Sequence, residues 1–328
     1  MNQVVVFHIM PRRVMPDIEN SQFPARDLPL AAAAAALGRR LPPGPSRRGP
    51  GSLAAVAGLL EATARKPGNV HPGAGFSDLA YADLSSAAVA IAEPLTHAGE
   101  QPLGETIEAA VTAARAASRS NANLGIVLAI APLAAADGSG HRPTPEAVRS
   151  VLSRCTAADA AAIYRAIRAA GAGGLGRRQR HDINGPPPAS ILTAMREAAE
   201  AEPRDSIAAL WADGYEPLWA GPVADLVRLD AAGCGWEETI VRAAVCQLAR
   251  QPDSLIARRR GSAVAAAVSR QAARLAPLSG PAWADGVAAF DRSLRQPPRR
   301  NPGTTADLIA AAIYVLLRNQ SGEKRPPN

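Results

Sequence analysis

The chain has 328 residues, enough to bury a full core, and its 4% aromatic content against abundant alanine favours closely packed helices over a sheet. The net charge of +7 raises nucleic acid as a partner, but the excess lies at the ends: residues 1–52 hold seven arginines against Asp17, Glu19 and Asp27, and residues 319–328 hold Lys324 and Arg325 against Glu323. Basic ends without interleaved aromatics read as solvated tails rather than nucleic-acid-binding arms, and the nearly balanced body excludes a general polyanion binder.

The 3 cysteines, Cys155, Cys234 and Cys246, form no CxxC pair, so the sequence supports neither a disulfide framework nor a zinc site and points to a reducing cytoplasm. Val4–Ile9 is apolar, but no charged region precedes it and Pro11-Arg-Arg follows, which is not the order of a secretory signal. The longest apolar run, Leu124 to Ala136, is interrupted by Pro132 and falls short of the roughly 20 residues that span a bilayer. No membrane association is expected.

Residues 1–52 combine Pro-Arg repeats, an Ala31–Ala36 run and a Pro/Gly-rich segment ending at Gly51, a composition that predicts a disordered extension. From Leu53 the pattern is helical with short breaks. One helix runs to the Pro67-Gly68 turn, and another is expected at 84–97. Over 105–118, Ile107, Ala110, Val111 and Ala114 form one stripe opposite Glu105, Glu108 and Arg115, the spacing of an amphipathic helix. Thr144-Pro-Glu146 and Thr156-Ala-Ala-Asp159 are helix starts, and Gly171 closes the second of them. Further helices are expected at 189–201, 204–212, 217–229, 236–250, 262–275, 281–294 and 304–318. No segment alternates as a strand, so the prediction is all-α: a single multi-helix domain over 53–318, with a disordered tail at 319–328.

Lys66 stands out because 34 of the 36 cationic residues are arginine. A lysine kept in such a chain marks a place where a compact ammonium serves and a planar fork does not. It lies in Glu61-Ala-Thr-Ala-Arg-Lys-Pro-Gly-Asn69, where a cation and several backbone N–H groups meet at a turn, as in anion sites. A helix ending in a turn with a solvated lysine has the same local sequence.

Four more polar islands sit at helix ends or loops. Gly75-Phe-Ser-Asp78-Leu-Ala-Tyr-Ala-Asp83 sets two carboxylates five residues apart, either as metal ligands or as a helix cap by Asp83 beside a solvated Asp78. Asn121-Ala-Asn123-Leu-Gly125 offers paired amides for a base or ribose, or turn-forming asparagines. Gly171-Ala-Gly-Gly-Leu-Gly176 matches GxGxxG, yet with no strand before it a glycine loop over a ligand fits better than a dinucleotide fingerprint, and His181-Asp182 follow. Arg299-Arg-Asn-Pro-Gly-Thr304-Thr-Ala-Asp307 opens the last helix, and Thr304-x-x-Asp307 is also an ordinary capping pattern.

Taken in order, Glu61…Lys66-Pro-Gly-Asn-Val, Phe76–Leu84, Asn121-x-Asn123-Leu-Gly-Ile-Val, Gly173-Gly-Leu-Gly…Asp182, Pro252-Asp-Ser-Leu-Ile-Ala-Arg-Arg-Arg-Gly261 and Asn301-Pro-Gly-Thr-Thr-Ala-Asp-Leu308 resemble the triphosphoribosyl-dephospho-CoA synthase family over roughly 53–318. Citrate-lyase members carry His-Lys-Asp-Met-Asp where this chain has Gly75-Phe-Ser-Asp78, and the chain is more similar to an archaeal-type branch. The resemblance implies that ATP is joined to 3′-dephospho-CoA with release of adenine, giving a prosthetic-group precursor for an acyl carrier protein. Such chemistry needs cations and Mg²⁺ for the triphosphate, a carboxylate near C1′, and donors for the leaving base.

On that footing Lys66, Gly68, Asn69, Gly303, Thr304 and Thr305 are expected on phosphates, with Arg258 and Arg260 on the second nucleotide. Asp78, Asp83 and Asp307 are expected around Mg²⁺, with Asp78 also near the chemistry, and Glu61 as base or charge stabiliser. Asn121 and Asn123 are expected on ribose or adenine. Lys66→Ala is expected to abolish product formation without altering the helical fold. The alternatives are phosphoribosyl transfer to another cofactor precursor and a Mg²⁺-dependent nucleotide or ADP-ribosyl hydrolase. A prenyl transferase is disfavoured by the lack of Asp-Asp-x-x-Asp.

Overall fold

The computed structural model describes residues 26–39, 49–118, 123–137, 142–171 and 181–320. The described residues are helical, with two isolated β-bridges, His71 to Ala74 and Phe76 to Leu79, in place of any strand. None of the described helices is long and apolar enough to cross a membrane.

Three helices buried on nearly every side form the centre: Pro50–Thr63, Leu124–Asp137 and Gly303–Gln320. Their faces are built of alanine and glycine, which lets backbones approach closely. A β-carbon on Gly58 would lie 2.9 Å from Ala88 Cβ. Pairs of amphipathic helices pack around this centre, Leu103–Ala117 against Ala157–Ala170 and Trp236–Arg250 against Ser262–Leu275. The Thr156–Asp159 box caps Ala157–Ala170 as expected, and the Asp159 carboxylate also accepts from Gly104 N at 2.8 Å, tying that helix to its partner. Gly171 closes it in the left-handed region, φ 61°. Buried Trp211 and Tyr215 donate to the Leu128 carbonyl, and Tyr215 also to that of Ala129, holding Ser206–Ala212 against the central Leu124–Asp137 helix.

Two expectations change. The Ala31–Ala36 run does not belong to a coreless extension: it lies in a helix, Leu30–Gly38, whose Leu30, Ala33, Ala34 and Leu37 are buried on the body. Leucine at both ends supplies the apolar face that the alanine run alone did not reveal. Trp236 N donates to Leu28 O at 2.8 Å, and a β-carbon on Gly235 would sit 2.2 Å from Arg26 O, so the chain passes directly over Gly235. The first central helix likewise begins at Pro50, inside the expected extension, with proline at its first position. Residues 1–25, 40–48 and 321–328 lie outside the described residues. The second change is at 217–229. Pro222 has no N–H to give an i→i−4 bond, and the segment runs as Glu216–Leu218, a π-helical turn Trp219–Val223, then Ala224–Ala231.

Candidate active site

A cleft of about 300 Å³ opens where the N-termini of the Leu124 and Gly303 helices meet the end of Pro50–Thr63 and the short helix Ser254–Arg260. Its polar end carries Glu61, Asn69, Asn123, Asp205, Arg258, Arg259, Asn301, Thr304 and Asp307, and Gly303 lines the same wall. Its other end is mainly apolar, from Tyr164 and Ile167 to Ile191, Met195 and Ile207, with His181 and Asp182 at its edge.

Glu61 is 4% exposed and lies at the C-terminal end of its helix. Its carboxylate is fixed by Lys66, whose Nζ lies 2.8 Å from Glu61 Oε1 and also donates to the carbonyls of Glu61 and Ala64. Lys66 is 1% exposed and absent from the cleft lining. Its expected role on phosphate is therefore corrected: the Pro67 turn sends the ammonium back under the helix end, where orphan carbonyls and Glu61 consume all three of its donors. Gly68 is also diverted. Its N–H donates to Asp291 Oδ1 at 2.8 Å, and its φ of 77° and a neighbouring Leu294 at 2.9 Å from any β-carbon account for the glycine. Asn69 does face the cleft, with its Nδ2 on Asn301 Oδ1 at 2.7 Å.

One carboxylate outside the expected set organises the opposite wall. Asp253, 2% exposed, accepts from Ile256 N at 3.0 Å as the cap of Ser254–Arg260, and from Thr305 N at 2.7 Å and Thr305 Oγ1 at 2.9 Å at the start of the last helix. Burial pushes its pKa up, opposed by those donors. Thr305 is thus spent on the fold rather than on a ligand, while Thr304 stays on the cleft with its Oγ1 at 3.0 Å from Ser254 Oγ. Because Asp253 caps the last helix, Asp307 is released from the Thr304-x-x-Asp307 capping pattern. It makes no hydrogen bond among the described residues and lies half-buried in the cleft. Burial, then the negative charges of Glu61 and Asp253, hold its carboxyl well above the usual carboxylate range.

The remaining expectations divide. Asp78 is exposed and bound by both guanidinium nitrogens of Arg299 at 2.5 Å, which pulls its pKa down, and Arg299 also stacks on Phe76 at 4.4 Å. Asp83 accepts from Ala80 N at 2.9 Å within a helix-start box. Neither lines the cleft, so the Asp78, Asp83 and Asp307 metal set does not assemble, and among the described residues no group of three His, Cys, Asp or Glu side chains is placed to hold a metal. Asn123, at φ 69°, is the turn residue before Leu124 and donates to Leu84 O while also lining the cleft. Asn121 and the Gly173–Gly176 loop lie outside the described residues.

Of the three arginines, Arg258 and Arg259 face the cleft and Arg260 does not. Arg260 donates to Arg299 O at 3.1 Å. Arg258 Nη1 pairs with Asp205 Oδ2 at 2.6 Å, and its Nε is buried without a hydrogen-bond partner among the described residues. Asp205 was missed, although Pro203-Arg-Asp205-Ser206 carries a helix-cap signal; it accepts from Ile207 N and Ala208 N at 3.0 Å. His181 lines the cleft with its carbonyl held by Tyr164 Oη at 3.0 Å.

The family model described as CitG, ATP:dephospho-CoA triphosphoribosyl transferase, matches residues 47–326. The chain belongs to this family. It is accordingly a triphosphoribosyl-dephospho-CoA synthase-like transferase, and the motifs that line the cleft are those that carried the resemblance. A solved structure of a candidate triphosphoribosyl-dephospho-CoA synthase from Archaeoglobus fulgidus shares the fold at a TM-score of 0.55, with 21% identity over 70% of this chain and 96% of that chain. No curated protein matches the chain.

Proposed function

We propose that the cleft transfers the triphosphoribosyl group of ATP to the 2′-hydroxyl of 3′-dephospho-CoA, releasing adenine. The observation that carries this reading is the pairing, in one cleft of a family member, of a carboxylate held rigid by a buried lysine with two arginines on the facing wall.

Breaking the bond from C1′ to adenine leaves oxocarbenium-like charge on the ribose, and the electron pair departs with the base. Glu61 is suited to face that charge: it is an ion-paired carboxylate whose position costs no reorganisation. As the acceptor oxygen bonds to C1′, its hydroxyl becomes acidic and passes its proton to Glu61. Adenine takes up one proton at the nitrogen that leaves, so the overall reaction releases none. Arg258 and Arg259 line the cleft and are suited to phosphate oxygens, and Asn69, Asn301 and Thr304 offer neutral polar contacts.

Mg²⁺ accompanies a triphosphate and needs only one or two protein carboxylates beside the phosphate oxygens. Asp307 fits that need, because a carboxyl without a hydrogen-bond partner among the described residues, crowded by Glu61 and Asp253, is relieved by a cation. When bound, the ion neutralises phosphate charge. The product is the prosthetic-group precursor that an acyl carrier protein would receive.

The test is to incubate the protein with ATP, Mg²⁺ and 3′-dephospho-CoA and to follow adenine and the CoA product by mass spectrometry. Acceptor-dependent adenine release with a triphosphoribosyl mass gain is expected. Adenine release without that adduct would point to another acceptor or to hydrolysis.

A further inference from the structure

The reaction uses two nucleotides, yet one half of the cleft is walled mainly by aliphatic side chains, with His181 and Asp182 at its edge. Tyr164, Ile191, Met195 and Ile207 are buried around this end, and Ile167 and Ile183 are half-buried beside them. Tyr164 turns its hydroxyl away, onto His181 O at 3.0 Å, and so presents ring rather than oxygen to the cleft. His181 and Asp182 edge this end beside Ile183, with His181 Nε2 3.5 Å from Glu197 Oε2, and Arg258 and Arg259 stand at its junction with the polar end, where the Arg258–Asp205 pair ties Ser254–Arg260 to the start of Ser206–Ala212.

We propose that this apolar end holds the pantetheine arm of the acceptor, with the acceptor's diphosphate anchored at the junction by Arg258 and Arg259. The assignment rests on the transferase reading above. Of the two substrates only the acceptor carries a long, weakly polar chain, and that chain begins at a diphosphate. Two guanidinium groups at the junction with an aliphatic wall match that order of groups, charge first and then chain. The triphosphate of ATP and its Mg²⁺ find no counterpart among the isoleucines, which directs the donor to the end with Glu61 and Asp307. The arrangement makes the arm, rather than the adenosine, the feature by which the enzyme tells its acceptor from the adenine nucleotides around it.

The experiment uses the full chain with saturating MgATP and reads adenine release and the adduct mass. ADP keeps the acceptor's ribose, diphosphate and adenine but lacks the arm; its kcat/KM as acceptor is expected to fall at least about tenfold below that of dephospho-CoA, since it forgoes the apolar burial the arm supplies. Met195→Glu is expected to lower kcat/KM for dephospho-CoA by a similar factor while leaving the ADP value and the KM for ATP within about twofold. Ile167→Ser, at a half-buried position, repeats the test with less risk to the fold. A measurement on the unaltered protein closes the argument: 4′-phosphopantetheine, the arm without the nucleoside, inhibits competitively against dephospho-CoA and not against ATP. Equal use of ADP and dephospho-CoA, or a rise in the KM for ATP in Met195→Glu, or competition of phosphopantetheine with ATP, would overturn the assignment. Absence of any adduct with either acceptor from folded protein would instead remove the transferase reading and the arm site with it.

Discussion

A β-carbon on Gly125 would lie 2.0 Å from Asp307 Oδ2 and 2.4 Å from its carboxyl carbon. The glycine at the start of one central helix is therefore the seat of the carboxylate at the start of another, and the two motifs Asn-Leu-Gly and Thr-Ala-Asp meet side by side. Gly125→Ala is expected to push Asp307 aside and reduce turnover about 10²-fold, the order of loss that an ångström of misplacement brings. Thermal unfolding should move little, since a half-buried carboxylate can swing where a backbone could not. Steady-state rates beside a melting curve check both halves.

Lys66→Ala separates a buried positioning role from a solvent-facing phosphate contact. Removing the ammonium leaves Glu61 as an uncompensated buried charge, and the loss of stability is expected to be about 3–5 kcal/mol. A phosphate-binding lysine would leave stability unchanged. The double variant Glu61→Gln with Lys66→Met should recover most of that stability and remain inactive, which denaturant unfolding and adenine release together would show.

Arg259→Ala is expected to raise the KM for a phosphate-bearing substrate about 10- to 100-fold, the worth of one or two charge-assisted hydrogen bonds. Arg260→Ala, which loses only its contact with Arg299 O, should leave KM within about twofold. Equal effects from the two would contradict the orientation of Ser254–Arg260.

Chelation of Mg²⁺ with EDTA is expected to stop adenine release, and added Mg²⁺ to restore it. Asp307→Asn should raise the Mg²⁺ concentration required, whereas Asp78→Asn, which disrupts only the exposed pair with Arg299, should not. Titration of activity against Mg²⁺ in the two variants decides between the assembled and the expected carboxylates.

His71 supplies a pH effect on stability. Its pKa is lowered from 6.5 to about 4 by burial first and then by Arg295, with smaller contributions from Lys66 and Arg65 against the opposing charge of Asp291. The unfolded chain then binds a proton that the folded one refuses, so stability is present above pH 6.5 and is lost as pH falls from 6.5 toward 4. The slope contributed by this one group is at most about 1.4 kcal/mol per pH unit. Unfolding measured across that window in His71→Asn should be flatter by that amount.

The helices were legible because their ends are written in the chain: Thr156 with Asp159, Gly171, Thr144 before Pro145. The polar end of the cleft was legible as a set of segments, since Glu61, Asn69, Asn123, Arg258, Thr304 and Asp307 do converge. What the chain did not disclose is which way each segment faces. Lys66 lies between Glu61 and Asn69, and Thr305 beside Thr304, all three of which reach the cleft, yet Lys66 and Thr305 point into the protein, and Arg259 replaces Arg260 because successive residues on a helix are about 100° apart. The apolar wall was invisible for a different reason. Ile191 and Met195 look like any core residues until the space in front of them is known to be open.

The double cap by Asp253 fixes more than two helix ends. Arg258 and Arg259 ride on one of those helices and Thr304 and Asp307 on the other, so the cation-bearing and anion-bearing parts of this wall are one rigid jaw. Ligands of different length cannot be accommodated by spreading it. Adjustment falls to the facing jaw, the helix Ile191–Glu200 and the segment before Ser206, which meets the first through the Arg258–Asp205 pair. Changes of acceptor preference can therefore accumulate on that side while the geometry around C1′ stays as it is.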